Sequence, residues 1–150
     1  MYKSLKPDLS YTTVVLLAAL TIPRVPIHDL KLLSFDSPLY KVLAVVPFLV
    51  WLLVALLRRT TRPLYDFLAV GMTYGIFLGL THQVLWNASW NGDTPQLGGN
   101  LANIDPSLEN IIVRMFGFCS SVMTGLIIGL LFGLIAYAAQ LARKKLKKTM

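Results

Sequence analysis

Arg114 is the one cation that the chain sets well inside a long apolar run. A charge at membrane depth is costly and is usually tied to a partner or a task. His82 and Gln83 close another apolar run, and Glu109 stands just ahead of Arg114. A guanidinium, an imidazole, an amide and a carboxylate at one level would bind an anion or relay a proton. The plainer reading has Arg114 reaching lipid phosphates or pairing with Glu109, and His82 serving as a hydrogen-bonded packing residue. The spacing favours the plainer reading, and His82, Gln83, Arg114 and Glu109 are carried forward as the candidate polar cluster.

Other chemistries find no support. His28 and His82 are the only histidines and stand alone in the sequence, so neither a metal site nor bis-histidine haem ligation is expected. Cys119 is the single cysteine, which rules out an intrachain disulfide. The glycines lie inside apolar runs and not after a strand, so no phosphate-cradling loop is present. No Ser, His and Asp grouping is evident, and no catalytic residue, cofactor or metal is expected. The chain also lacks the first-helix glutamate of small multidrug exporters and the aspartate motifs of lipoprotein signal peptidases.

These side chains must be positioned by membrane helices. Of 150 residues, 55% are hydrophobic and only 14% charged, against about 25% charged in soluble domains. At roughly 20 residues per crossing, four spans nearly exhaust the length. They are placed at about 8–25, 38–57, 63–86 and 107–141, forming a single four-helix transmembrane domain over 1–150. Residues 24–37 mix Arg24, Asp29, Lys31 and Asp36 with apolar side chains, as an interfacial segment would. Ser37-Pro38 and Asp105-Pro106 are helix starts, Pro47 is expected to kink the second span, and Asn87 to Asn110 is read as a loop. Asp66 falls in the first turn of the third span, where the helix dipole favours a carboxylate.

The net charge of +7 follows topology, not nucleic acid, which is not an expected partner. Lys3, Lys6, Arg58, Arg59, Arg62, Arg143, Lys144, Lys145, Lys147 and Lys148 make up ten of the fourteen cations, and all fall on one side of a four-span chain. The positive-inside rule makes that side cytoplasmic, with both termini there. A bacterial plasma membrane protein is the expectation, with the lipid bilayer as its medium.

The helices carry their own packing signal. Gly117, Ser121, Gly125, Gly129 and Gly133 recur every fourth residue, and Gly71, Gly75 and Gly79 repeat the pattern one span earlier. Residues four apart share one helix face, so each run is a smooth seam of the glycine-zipper kind that admits another backbone. The seams are expected to pack within the chain, the alternative being a homo-oligomer or a membrane-protein partner. On this footing the leading expectation is a non-enzymatic accessory, assembly or stress-related component acting through helix packing. A small transporter or channel using the outer polar cluster comes second, and a membrane-embedded enzyme acting on lipid third.

Overall fold

The computed structural model describes residues 7–58 and 60–149. Lys3, Lys6 and Arg59 of the expected basic side lie outside the described residues, as do the side chains of Lys147 and Lys148. The described chain is helical without strands: α1 (Tyr11–Ala19), α2 (Arg24–Asp29), α3 (Pro38–Leu57), α4 (Pro63–Trp90) and α5 (Pro106–Thr149), with a 3-10 turn at Gly99–Leu101. Among the described residues four stretches are long and apolar enough to cross a membrane: Tyr11–Asp29 (α1 with α2), Pro38–Leu57, Pro63–Trp90 and Pro106–Leu146. Large apolar side chains such as Leu53, Val84 and Ile127 are exposed, a surface suited to hydrocarbon.

The boundaries follow local chemistry. The Ser10 hydroxyl accepts the Thr13 N–H at 3.2 Å, so α1 starts at Tyr11 and not at Asp8. The Ser37 hydroxyl caps α3 at the Tyr40 N–H, 3.2 Å, and α3 runs through the buried Pro47. Asp105 Oδ1 accepts from Ser107 and Leu108 at the start of α5. Two ends lie further out than the sequence indicated. Asn87–Trp90 is helix and not loop, because Arg114 holds the Asn87 side chain at 3.1 Å and Asn91 terminates α4 in the left-handed conformation at φ +48°. The last helix continues past Leu141 to Thr149, since Lys and Arg are good helix formers and mark the exit from lipid, not the end of a helix.

α1 gives way where Thr21 and Ile22 turn to the carbonyls of Ala18 and Ala19, just before Pro23. No backbone donor among the described residues then reaches the Leu17 carbonyl. Trp51 of α3 supplies one: its indole N–H donates to Leu17 O at 2.9 Å. An unpaired carbonyl costs several kcal/mol in hydrocarbon, on the order of 4–8 kcal/mol against water, so this bond fixes α1 on α3. Trp51 is fully buried and meets Tyr74 of α4 edge-on at 5.8 Å and Phe132 of α5 at 5.5 Å. One side chain thus joins four helices. Residues 24–29, expected at the membrane surface, are helical and pack on α4 with Val25 and Asp29 buried.

The most extensive contact is α4 with α5, and the two glycine runs face each other across it. A Cβ added at Gly125 would lie 2.6 Å from the Gly75 Cα and would overlap the Gly71 carbonyl oxygen. One at Gly75 would lie 2.8 Å from the Val122 Cα, and one at Gly133 would lie 3.1 Å from the Leu64 Cα. Nothing larger than hydrogen fits the middle of the seam. Beyond it, Trp86 lies over Gly117 and Phe118 lies over Gly79.

At the end where Arg58 and Arg143 lie, hydrogen bonds from distant residues close the bundle. Asp66, fully buried, accepts the Leu9 N–H at 3.0 Å, so its carboxylate does more than meet the α4 dipole. Asp8 accepts both the hydroxyl and the N–H of Thr61 at 2.6 Å, and Gln140 donates to the Thr60 carbonyl at 2.5 Å.

Two outcomes follow. Gly125→Ala should lower thermal stability by about 1–3 kcal/mol or more through overpacking, whereas Gly98→Ala, with open space at its Cβ, should be neutral; equal melting temperatures in detergent would remove the seam from the account. The Thr61 hydroxyl, then its N–H, hold the Asp8 carboxyl below the ordinary carboxylate range. A depressed folded pKa gives stability that is full above the unfolded value of about 3.9 and is lost as pH falls through the folded one. Thr61→Ala should therefore lower the melting temperature slightly at neutral pH, the effect being small because Asp8 is exposed, and the difference from the parent should vanish as pH falls below about 4.

Candidate functional site

At the far end of the bundle, away from Arg58 and Arg143, α2 delivers Asp29 to α4. The turn after α2 is closed by Lys31 N–H to His28 O at 3.1 Å and Leu32 N–H to Ile27 O at 3.0 Å, the Schellman arrangement. It requires Lys31 at φ +52°, a conformation that L side chains adopt at a cost. The strained residue sits two positions after Asp29 and stops the helix there.

Asp29 is 3% exposed at its side chain and receives two histidines. Its Oδ2 is 2.6 Å from His82 Nδ1, and its Oδ1 is 3.1 Å from His28 Nδ1. The sequence reading had both histidines standing alone; the fold brings them to one carboxylate. His28 is also boxed by Phe35 and Tyr40, with ring centroids at 5.4 and 6.5 Å. An ionised carboxylate only accepts, so each Nδ1 carries its hydrogen and each Nε2 is the nitrogen left for a ligand. In the neutral ring that Nε2 is an acceptor.

Beside this trio opens a cleft of about 850 Å³ between α2, α4, α5 and the 91–105 connection, and His28, Asp29 and His82 all line it. Its walls include Trp86, Trp90, Phe35 and Phe116, with Asp93 and Lys31 at the rim. The Trp86 indole N–H is buried without a hydrogen-bond partner.

The polar cluster expected from sequence is only partly assembled. Gln83 reaches Arg114, but through the backbone: its Nε2 donates to Arg114 O at 3.0 Å. The Arg114 guanidinium binds Asn110 at 3.0 Å and Asn87 at 3.1 Å and stacks over Trp86 at 5.3 Å. Glu109 does not pair with it; Glu109 Oε1 accepts the Leu97 N–H at 2.6 Å and pins the connection. His82 belongs to the other group, with Asp29. Arg114 and His82 thus lie on two sides of Trp86, Arg114 supporting the tryptophan that walls the cleft.

Arg24, expected in the connection after the first span, is close enough to Tyr74 of α4 to act on it electrostatically. Tyr74 lies eight residues before His82 on α4, or about 12 Å along the helix at 1.5 Å per residue, so this polar pair is deeper in the bundle than the trio.

Asp29, Trp86 and Trp90 were not singled out by the sequence as site residues. The adjacent His28-Asp29 pair at the end of an apolar stretch was the available signal, and only the return of α4 shows what it faces. Among the described residues no group of three His, Cys, Asp or Glu is arranged to hold a metal ion. Cys119 is exposed on α5. Ser121 in the cleft wall gives its hydroxyl to Gly117 O at 2.9 Å. No family model, curated protein or solved structure matches the chain.

Asp29→Ala would orphan two imidazole N–H groups and should cost about 1–3 kcal/mol. His82→Ala should cost more than His28→Ala, because its bond is shorter and its side chain less exposed, 34% against 50%. Thermal unfolding in detergent checks the order; a reversed order would contradict the geometry.

Proposed function

We propose that the protein is a multi-pass bacterial plasma-membrane protein, with both termini cytoplasmic, whose outer cleft binds an amphiphilic organic cation. The single observation behind this reading is the cleft of about 850 Å³ that joins aromatic walls to the Asp29–His82–His28 trio. Aromatic faces attract a cationic head, two Nε2 acceptors and the Asp93 carboxylate can take its N–H groups, and Phe116 and Trp90 offer apolar area for its body. The residues 30–37 that border α2 then lie at the outer interface, where such amphiphiles collect.

An accessory role through glycine-mediated partner binding has less to work with, because each seam is occupied by the other. Transport is the second reading, favoured by one observation: Arg24 lies near enough to Tyr74 to act on it electrostatically, a charged group beyond the cleft.

The test is intrinsic fluorescence in nanodiscs, since Trp86 and Trp90 line the cleft and the remaining tryptophan, Trp51, is fully buried in the core. A panel of alkylammonium, neutral alcohol and carboxylate amphiphiles of one chain length should give saturable quenching by the ammonium member only. His82→Ala should weaken it about tenfold, the equivalent of about 1.4 kcal/mol. Equal or stronger binding of the carboxylate, or no saturation by any member, would refute the reading. Proteoliposome uptake of the bound cation that disappears in Arg24→Gln would place the protein among transporters.

A further inference from the structure

The basic end of the bundle holds a second cavity, of about 380 Å³, that the outer cleft does not explain. Arg58 comes to it from the end of α3, Arg143 and Lys144 from the last turns of α5, and Thr60 and Gln140 complete the polar lining. Among the described residues no carboxylate lines it. Neither acidic side chain at this end lines the cavity: Asp8 is held by Thr61, and buried Asp66 accepts from Leu9 at one oxygen while its other oxygen has no partner. No ion pair is found for Arg58, Arg143 or Lys144 among the described residues. Three cations gathered around one hollow repel one another unless an anion is shared between them.

A second, independent feature lies in the same wall. The Thr60 hydroxyl is buried without a hydrogen-bond partner. Its backbone is not free to turn it outward, because Gln140 holds the Thr60 carbonyl and Asp8 holds the next residue. A hydroxyl-bearing residue that lines one cavity with two guanidinium groups and an ammonium suits a phosphate oxygen, and arginine forks take such oxygens in pairs. Ala136, Pro63 and Leu146 form the apolar remainder, so a chain attached to the phosphate would find a hydrophobic path toward the bilayer.

We propose that this cavity is a phosphate site, filled by the headgroup of an anionic phospholipid from the adjoining leaflet. Basic pockets between membrane helices recognise such headgroups at the charged interface. The site joins α3, the 58–62 turn, α4 and α5, so a bound headgroup ties the start of α4 to the end of α5.

Native mass spectrometry after mild extraction tests it, on protein equilibrated in vesicles of phosphatidylglycerol and phosphatidylcholine in equal amounts. One phosphatidylglycerol should be retained in preference to phosphatidylcholine. Retention should fall about tenfold in the Arg143→Gln/Lys144→Gln variant, which alters only the outer turns of α5, and also in Thr60→Val, which leaves every charge in place. Glycerol 3-phosphate and inorganic phosphate at millimolar concentration form the separate arms and should not displace the lipid. Displacement by either would uphold the phosphate site and reject the lipid as its source. Equal retention of the two lipids, or retention unchanged in the double variant, would overturn the proposal. So would retention that falls with the charges but not with Thr60→Val, which marks diffuse attraction to an anionic surface.

Discussion

Two helices bring their backbones into contact only where neither carries a side chain, and α4 and α5 do so at Gly71, Gly75, Gly125 and Gly129. Lipid gives no hydrophobic reward for helix association, so the energy must come from close van der Waals packing and from polar groups that find partners. The seam supplies the first. Trp51 on the Leu17 carbonyl and Leu9 on Asp66 supply the second for α1. Remove the seam and α4 no longer has a fixed azimuth. His82 would then lose its register with Asp29, and Trp86 its place between Arg114 and the cleft.

The two ends of the bundle differ because of what the connections carry. At the basic end short polar bonds from Asp8 and Gln140 hold Thr60 and Thr61, and three cations line one cavity beside them. At the far end α2 breaks away from the line of α1 at Pro23 and returns an aspartate against α4. The break is what allows a carboxylate to lie buried within an otherwise apolar first span. It also turns Arg24 toward Tyr74, so the polar groups of this span are met by partners and not by lipid.

Much of the architecture was legible locally. α3 was placed at Pro38–Leu57 because a serine cap, a first-turn proline and a terminal arginine are all written within a few residues. The seams were legible too, since a four-residue repeat of glycine makes one helix face free of side chains, but whether each would meet the other or a second chain was left open by the repeat alone. What was not legible is non-local. His28 and His82 are far apart in the chain, and the Asp29–His82 bond spans a separation of 53, which no spacing rule reaches. Arg114 illustrates the converse: it was expected level with Gln83, whose side chain does reach its carbonyl, but its guanidinium meets Asn87, Asn110 and Trp86, because Glu109 is drawn to the Leu97 N–H instead. The α4 end was misplaced for a related reason, Asn87 being a loop former by type and a helix residue by virtue of its tie to Arg114.

The central claim is that the two glycine seams meet inside one chain and so set the register on which the cleft at the Asp29 end depends. Disulfide cross-linking of Leu64→Cys with Gly133→Cys, in a Cys119→Ser background, tests it directly, because a Cβ at Gly133 lies 3.1 Å from the Leu64 Cα. Oxidation in native membranes should yield a cross-linked monomer. A covalent dimer as the main product would contradict the account.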